Sequence, residues 1–361
     1  MMRRCILRPF YLLFLFVPAA IVVDGLHLGP TWVFGTSAIA MLPLAWALGE
    51  ATEELALHTG PRMGAFLNTT LGNLAELIIA IVALRAGLLE LVQATITGSI
   101  IGNLSLVLGL SLLLGGLKNG VQTFDRRTAG TNATLLSLAV IGLVIPAVFG
   151  HAIGSESAAA VEILSLGVAG ALMAVYGLSL LFAFGDPTRR AGATAGGGAR
   201  AAAHHKPRWS KRTSLLVLVV ATGLVVWVSE LLVAALEEVV VTWGLTELFL
   251  GVVLIPLVGN AAEHLVAVEV AVENRMELTL GIAVGSAVQV ALLVAPLLVF
   301  ISLALGHPMT LVFNPFELVA LAAGVGVVAL ISGDGRSNWL EGAMLLAVYV
   351  IVALAFFLSP G

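Results

Sequence analysis

The chain has 361 residues, 60% hydrophobic and 11% charged, with a formal net charge of −4 and a mean hydropathy of +1.08. Soluble domains carry about 25% charged residues, so the composition argues against a soluble protein and for an integral membrane protein built of helices. The 17 Lys and Arg form no continuous stripe, which excludes a nucleic-acid surface, and the single Cys5 excludes an internal disulfide or a multi-cysteine metal centre.

Eleven segments reach the length of about 20 apolar residues that a spanning helix needs. The first, 10–28, starts in "MMRRCILRPFYLLFLFVPAA", which has the basic head and apolar body of a signal peptide. Its apolar run continues to about Leu28, so an uncleaved first helix is expected. Spans 2 to 6 follow at 32–49, 63–84, 91–116, 129–149 and 159–184. Then comes Gly185–Arg212, rich in Gly, Ala and basic residues and without an apolar period, which reads as a flexible cytoplasmic linker in which His204 and His205 are solvated. Spans 7 to 11 are expected at 214–236, 247–272, 278–304, 311–331 and 339–358. With the N-terminus in the cytoplasm, alternation puts 16 of the 17 basic residues in cytoplasmic loops and Arg85 alone outside. That bias is the one of a prokaryote-type inner membrane, and it leaves the C-terminus outside.

The chain repeats itself at an offset of 187 residues. Gly72, Asn73, Ala75 and Glu76 fall on Gly259, Asn260, Ala262 and Glu263; Glu90 falls on Glu277, and Gly98-Ser99 on Gly285-Ser286. Chance matches between apolar runs would be Leu on Leu or Val on Val, not these polar residues. The expected organisation is an N-terminal helix (1–30), a five-helix repeat (31–184), the linker (185–212) and a second five-helix repeat (213–361). Five is odd, so the second copy is inverted in the membrane, the design of secondary transporters with a substrate site near the midplane.

Glu76 and Glu263 each fall near the middle of an apolar span. An ionised carboxylate there costs about 2.5–3.5 kcal/mol on insertion scales, and two that face each other repel. Protonation relieves the cost, and so does a cation between them. Proton and cation therefore compete, which in an alternating protein is cation/proton exchange. Two carboxylates balance one divalent ion. Asn73 and Asn260 precede the glutamates by one helical turn and are expected on the same face. Ser99, Ser286, Asn103 and Gln289 lie on spans 4 and 9. No Cys or Met joins this set, so an all-oxygen site suited to Ca²⁺ is expected, completed by backbone carbonyls and water. Gly72, Gly259 and Pro256 predict broken helices beside the glutamates. The acidic ends at Glu50, Glu53, Glu54 and at Glu237, Glu238 read either as plain solvated helix ends or as negative mouths that concentrate cations.

The stretches "GNLAELIIAIVALRAGLLELVQATITGSIIGNLSLVLG" and "GNAAEHLVAVEVAVENRMELTLGIAVGSAVQVALLVAPLLV" resemble the two repeat motifs of the calcium/proton exchangers, within the calcium/cation antiporter superfamily. The resemblance implies that Glu76 and Glu263 bind Ca²⁺ and protons alternately, that spans 3, 4, 8 and 9 line the site, and that spans 2 and 7 gate it. It also implies that Asn73, Asn260, Ser99, Ser286 and Gln289 lie in or near that site. The basic linker departs from the acidic stretch of eukaryotic relatives, and Glu277 stands where relatives often carry Asp. The alternatives are an antiporter for Na⁺, K⁺ or Mn²⁺, or a cation channel. No zinc-enzyme motif is present, since "NAAEH" has Asn where H-x-x-E-H needs its first His. No cofactor is expected beyond the transported ions, and the sequence leaves any oligomeric partner open.

Overall fold

Helices in this chain begin where the sequence supplies a residue fit for a first turn. Pro30, Pro61 and Pro315 occupy such positions, where a missing N–H leaves no donor unmet, and the side chains of Ser210, Thr246, Asn314 and Asn338 cap others. A computed structural model describes residues 11–153, 158–185 and 207–359. Cys5, His204, His205 and most of the expected linker lie outside the described residues.

In chain order the helices are α1 (Leu13–Gly25), α2 (Pro30–Leu57), α3 (Pro61–Leu71), α4 (Leu74–Arg85), α5 (Leu89–Asn119), α6 (Arg126–Ile153) and α7 (Ala158–Gly185). After the linker come α8 (Lys211–Ala234), α9 (Leu236–Trp243), α10 (Glu247–Gly259), α11 (Ala261–Val272), α12 (Met276–Leu305), α13 (Pro315–Ile331) and α14 (Trp339–Leu358). Helix lies in each of the eleven expected segments. Among the described residues seven helices are continuous and apolar enough to cross a membrane, or eight if α9 and α10, bent by 113° at their junction, count as one span. The shortfall lies in α1 and α13, which are shorter, and in expected spans 3 and 8, which are broken where the glutamates sit.

The breaks set the architecture. α2 packs most extensively on α8, α4 packs on α8 and the second half of α12, and α11 packs on the second half of α5. Large side chains such as Ile163, Leu181 and Ile351 face outward from α7 and α14, as a lipid-facing wall requires. One end of the bundle is stitched by polar contacts near Lys118, Arg126, Arg275 and Arg336; it is called the basic end below. There β1 (Gln122–Thr123) pairs antiparallel with β2 (Arg336–Ser337), a contact the sequence does not announce. The Gln122 amide donates to Ala271 O and Asn274 Oδ1, both at 2.9 Å. At the opposite end the Gln93 amide donates to Thr310 O at 2.9 Å, and Leu311 N donates to Ser165 Oγ at 3.0 Å.

Candidate ion-binding site

Both glutamates stand in the first turn of a half-helix. α3 ends at Leu71 and α4 begins at Leu74, with Asn73 between them at φ −96°, ψ 28°. α10 ends at Gly259 and α11 begins at Ala261, with Asn260 at φ −104°, ψ 4°. The sequence supplies the means. A Cβ at Gly72 would stand 2.7 Å from Asn68 O, so the first break needs glycine. Pro256 lacks the N–H that would extend α10 as an ideal helix. Each break turns the positive N-terminal end of a half-helix toward the bundle centre, where it favours a carboxylate.

Two further irregularities face the breaks. α5 contains a π-helical stretch at Gly102–Val107 and α12 one at Val290–Val294, equivalent positions in the two repeats. Asn103 lies in the first and Gln289 immediately precedes the second. A π turn inserts a residue and redirects side chains, which is why such turns gather at functional sites.

The polar side chains meet across the repeats. The Asn73 amide donates to Gln289 Oε1 at 3.0 Å, and Ser286 Oγ donates to Asn73 Oδ1 at 3.0 Å. The Asn103 amide donates to Ser286 Oγ at 3.2 Å, and the Asn260 amide donates to Ser99 Oγ at 3.5 Å. Each asparagine thus serves the other repeat. All eight predicted site residues come together, and seven are buried; Glu263 is half-buried. The Glu76 side chain packs on the backbone of Gly259, where an added Cβ would stand 3.4 Å from its Cγ. The two carboxylates are close enough to repel.

Three acceptor oxygens in this cluster have no partner: Glu76 Oε1, Glu263 Oε2 and Asn103 Oδ1. Acceptors left bare in a low-dielectric interior are costly, and what they lack is a cation or a proton. Among the described residues no group of three or more His, Cys, Asp and Glu is assembled, so two carboxylates with neutral oxygens are what the site offers a metal. His264 Nε2, next to Glu263, is also unpartnered.

The site is closed toward one end and loose toward the other. α10 is seated on the first half of α5, where Gly251 meets Ala94 and Gly98 lies under Val252 and the Pro256 ring. In the repeat frame α3 is the counterpart of the first part of α10, yet among the described residues α3 packs substantially on α2 alone. Gly285, the counterpart of Gly98, is half-exposed while Gly98 is buried. Met63 is 54% exposed while its counterpart Leu250 is fully buried at 0%. The looser packing therefore lies toward the basic end.

With this geometry in view, comparison with known proteins is decisive. The model of the sodium/calcium exchanger protein family matches residues 29–185 and again 213–358. The chain belongs to that family. Among family relatives, a Ca²⁺/H⁺ antiporter of Aphanothece halophytica is 44% identical over 360 residues, covering 97% of this chain and 96% of the relative. The Ca²⁺/H⁺ antiporter ChaA of Bacillus subtilis is 41% identical, covering 95% of this chain and 96% of its own. Among solved structures, native YfkE superposes with a TM-score of 0.84 at 38% identity, covering 97% of this chain and all of that one. The H⁺/Ca²⁺ exchanger CAX shares the fold, with a TM-score of 0.73 at 15% identity, covering 97% of this chain and 91% of that one. The fold, broken helices included, is thus described for a chain of the sodium/calcium exchanger protein family.

Proposed function

We propose that this protein is a secondary transporter, and not an enzyme, that exchanges Ca²⁺ for H⁺ by alternating access, with Glu76 and Glu263 holding either the metal or protons. The observation that carries this reading is the trio of unpartnered oxygens on Glu76, Glu263 and Asn103 at the meeting point of two half-helix N-termini. Glu76, Glu263 and Asn103 would ligate Ca²⁺ directly. Asn73, Asn260, Ser99, Ser286 and Gln289 orient them and add oxygens. Full-length likeness to curated Ca²⁺/H⁺ antiporters supports the choice of ions.

Ca²⁺ arriving from the basic end would displace protons from the pair, and closure of that end would carry the metal across. The halves 31–184 and 213–361 serve as the alternating inverted repeats, supported by the twofold family match and by π turns at equivalent positions. Eleven spans with the basic end cytoplasmic satisfy the positive-inside bias, which puts the N-terminus inside and the C-terminus outside.

Everted membrane vesicles carrying a proton gradient test the reading. Ca²⁺ is expected to collapse the gradient while Na⁺, K⁺ and Mn²⁺ leave it standing, and Glu76→Gln or Glu263→Gln to reduce the Ca²⁺ response by at least about 100-fold. Collapse by Na⁺ or Mn²⁺ alone, or a normal response in either variant, refutes it. Current without proton movement would mark a channel instead.

A further inference from the structure

The end of α2 that leads into α3 carries a contact that has no counterpart in the other repeat. α2 closes with Glu50, Glu54 and His58, and the chain segment leading into α8 is laid across them. Glu54 is 4% exposed, a rare state for a carboxylate outside a binding site. Its Oε2 accepts the backbone N–H of Arg208 at 2.8 Å and of Trp209 at 3.1 Å. The Arg208 guanidinium lies 3.7 Å from Glu54 Oε1 and 3.4 Å from Glu50 Oε1, and His58 Nε2 bonds Trp209 O at 2.8 Å. Shifted by 187, Glu54 becomes Val241 and His58 becomes Leu245, so the opposite end cannot form the same latch.

The latch sits beside a hinge. Past His58 the chain turns through Gly60, at φ 81°, directly into α3. Gly64 of α3 rests against Ala56 O, two residues from Glu54. α3 is the half-helix that is loosely packed here, and by the repeat its counterpart of the α10 seat on α5 would be a seat on α12. Whatever fixes the end of α2 therefore fixes the pivot about which α3 would reach that seat.

We propose that Arg208 is a positioning residue for the basic-end gate: by clamping Glu50 and Glu54 it holds the pivot of α3 and favours the state open to the basic end. This rests on the exchange reading given above. The acidic end of α2, read from sequence as either a solvated helix end or a cation-gathering mouth, is then in part the seat of an internal cation.

The test uses the full chain in proteoliposomes with Ca²⁺ supplied at the basic end. Arg208→Gln is expected to raise the KM for Ca²⁺ by about two- to fivefold, in keeping with partly exposed ion pairs, with the maximal rate within about a factor of two of wild type. Arg208→Lys restores most of the affinity. In a Cys5→Ser background, thiol labelling of Met63→Cys on α3 slows in Arg208→Gln, since the open state is less populated. An unchanged or lowered KM, or unchanged labelling, overturns the proposal. If Arg208→Gln does not assemble, Glu50→Gln, which removes one carboxylate and leaves the backbone bonds to Glu54, is expected to give the same direction of change, and its absence is equally fatal. Labelling is read without transport, and Glu76→Gln serves as the transport-dead control: exchange in that control would refute the exchange reading and leave the latch to the labelling result.

Discussion

An asparagine three residues before a glutamate does two different things in this chain. At Asn314–Glu317 and Asn338–Glu341 the pair forms a reciprocal cap: the Asn side chain accepts helix N–H groups and the Glu side chain accepts the Asn N–H. At Asn73–Glu76 and Asn260–Glu263 the spacing is the same and the helix begins at the same place, but no side-chain cap forms. Those side chains are committed to the opposite repeat. Asn338→Ala should therefore cost about 1 kcal/mol of stability, read by thermal unfolding, and leave the KM for Ca²⁺ unchanged. Asn73→Ala and Asn260→Ala should raise that KM by about tenfold, roughly the loss of one buried hydrogen bond. Equal behaviour of the three variants would show that the site asparagines are only caps. The sequence revealed which residues belong to the site, because Gly-Asn and Glu recur at one offset. It did not reveal the pairing, because the Asn73–Gln289 bond joins residues 216 positions apart and helical periodicity carries no information at that range.

At the scale of elements, the informative features are the irregular ones. Gly72 and Pro256 mark the broken helices in the sequence, and the breaks appear where expected. The π turns in α5 and α12, the 113° bend between α9 and α10, and the pairing of β1 with β2 leave no comparable trace, since each depends on what packs beside it. The seat of α10 on α5 is the element contact that closes the site. A methyl at Gly98 would stand 2.6 Å from the Pro256 ring and collide with Val252 O, a backbone atom that cannot turn aside. Gly98→Ala should therefore unseat α10, slow exchange by at least about tenfold, and expose the outer half of α5 to thiol reagents at a cysteine in place of Ala94. Wild-type exchange in Gly98→Ala would show that the seat is not part of the gate.

For the whole molecule, the repeat gives the symmetry and the departures from it give the direction. The two halves match in breaks, glutamates and the π turns of α5 and α12, but a third π turn, at Leu250–Leu254 of α10, has no counterpart in α3, and among the described residues α10 is docked where α3 is not and the Arg208 latch stands at one end. Composition and hydropathy were enough to reveal a membrane protein, and the recurrence of polar residues at an offset of 187 suggested its two halves. The access state was not legible, because both states use the same sequence and differ only in which copy is seated.

Competition between Ca²⁺ and protons for one pair of carboxylates is the claim on which everything else depends, and it has a sign. Falling pH fills the site with protons, so apparent Ca²⁺ affinity must drop, by up to about 100-fold per pH unit where both protons have to leave. The most direct measurement is the proton count released when Ca²⁺ binds to the purified protein in weakly buffered solution. The account predicts that wild type releases between about one and two protons per Ca²⁺, and that Glu76→Gln and Glu263→Gln release fewer and bind more weakly. Tight Ca²⁺ binding with no proton released would contradict it.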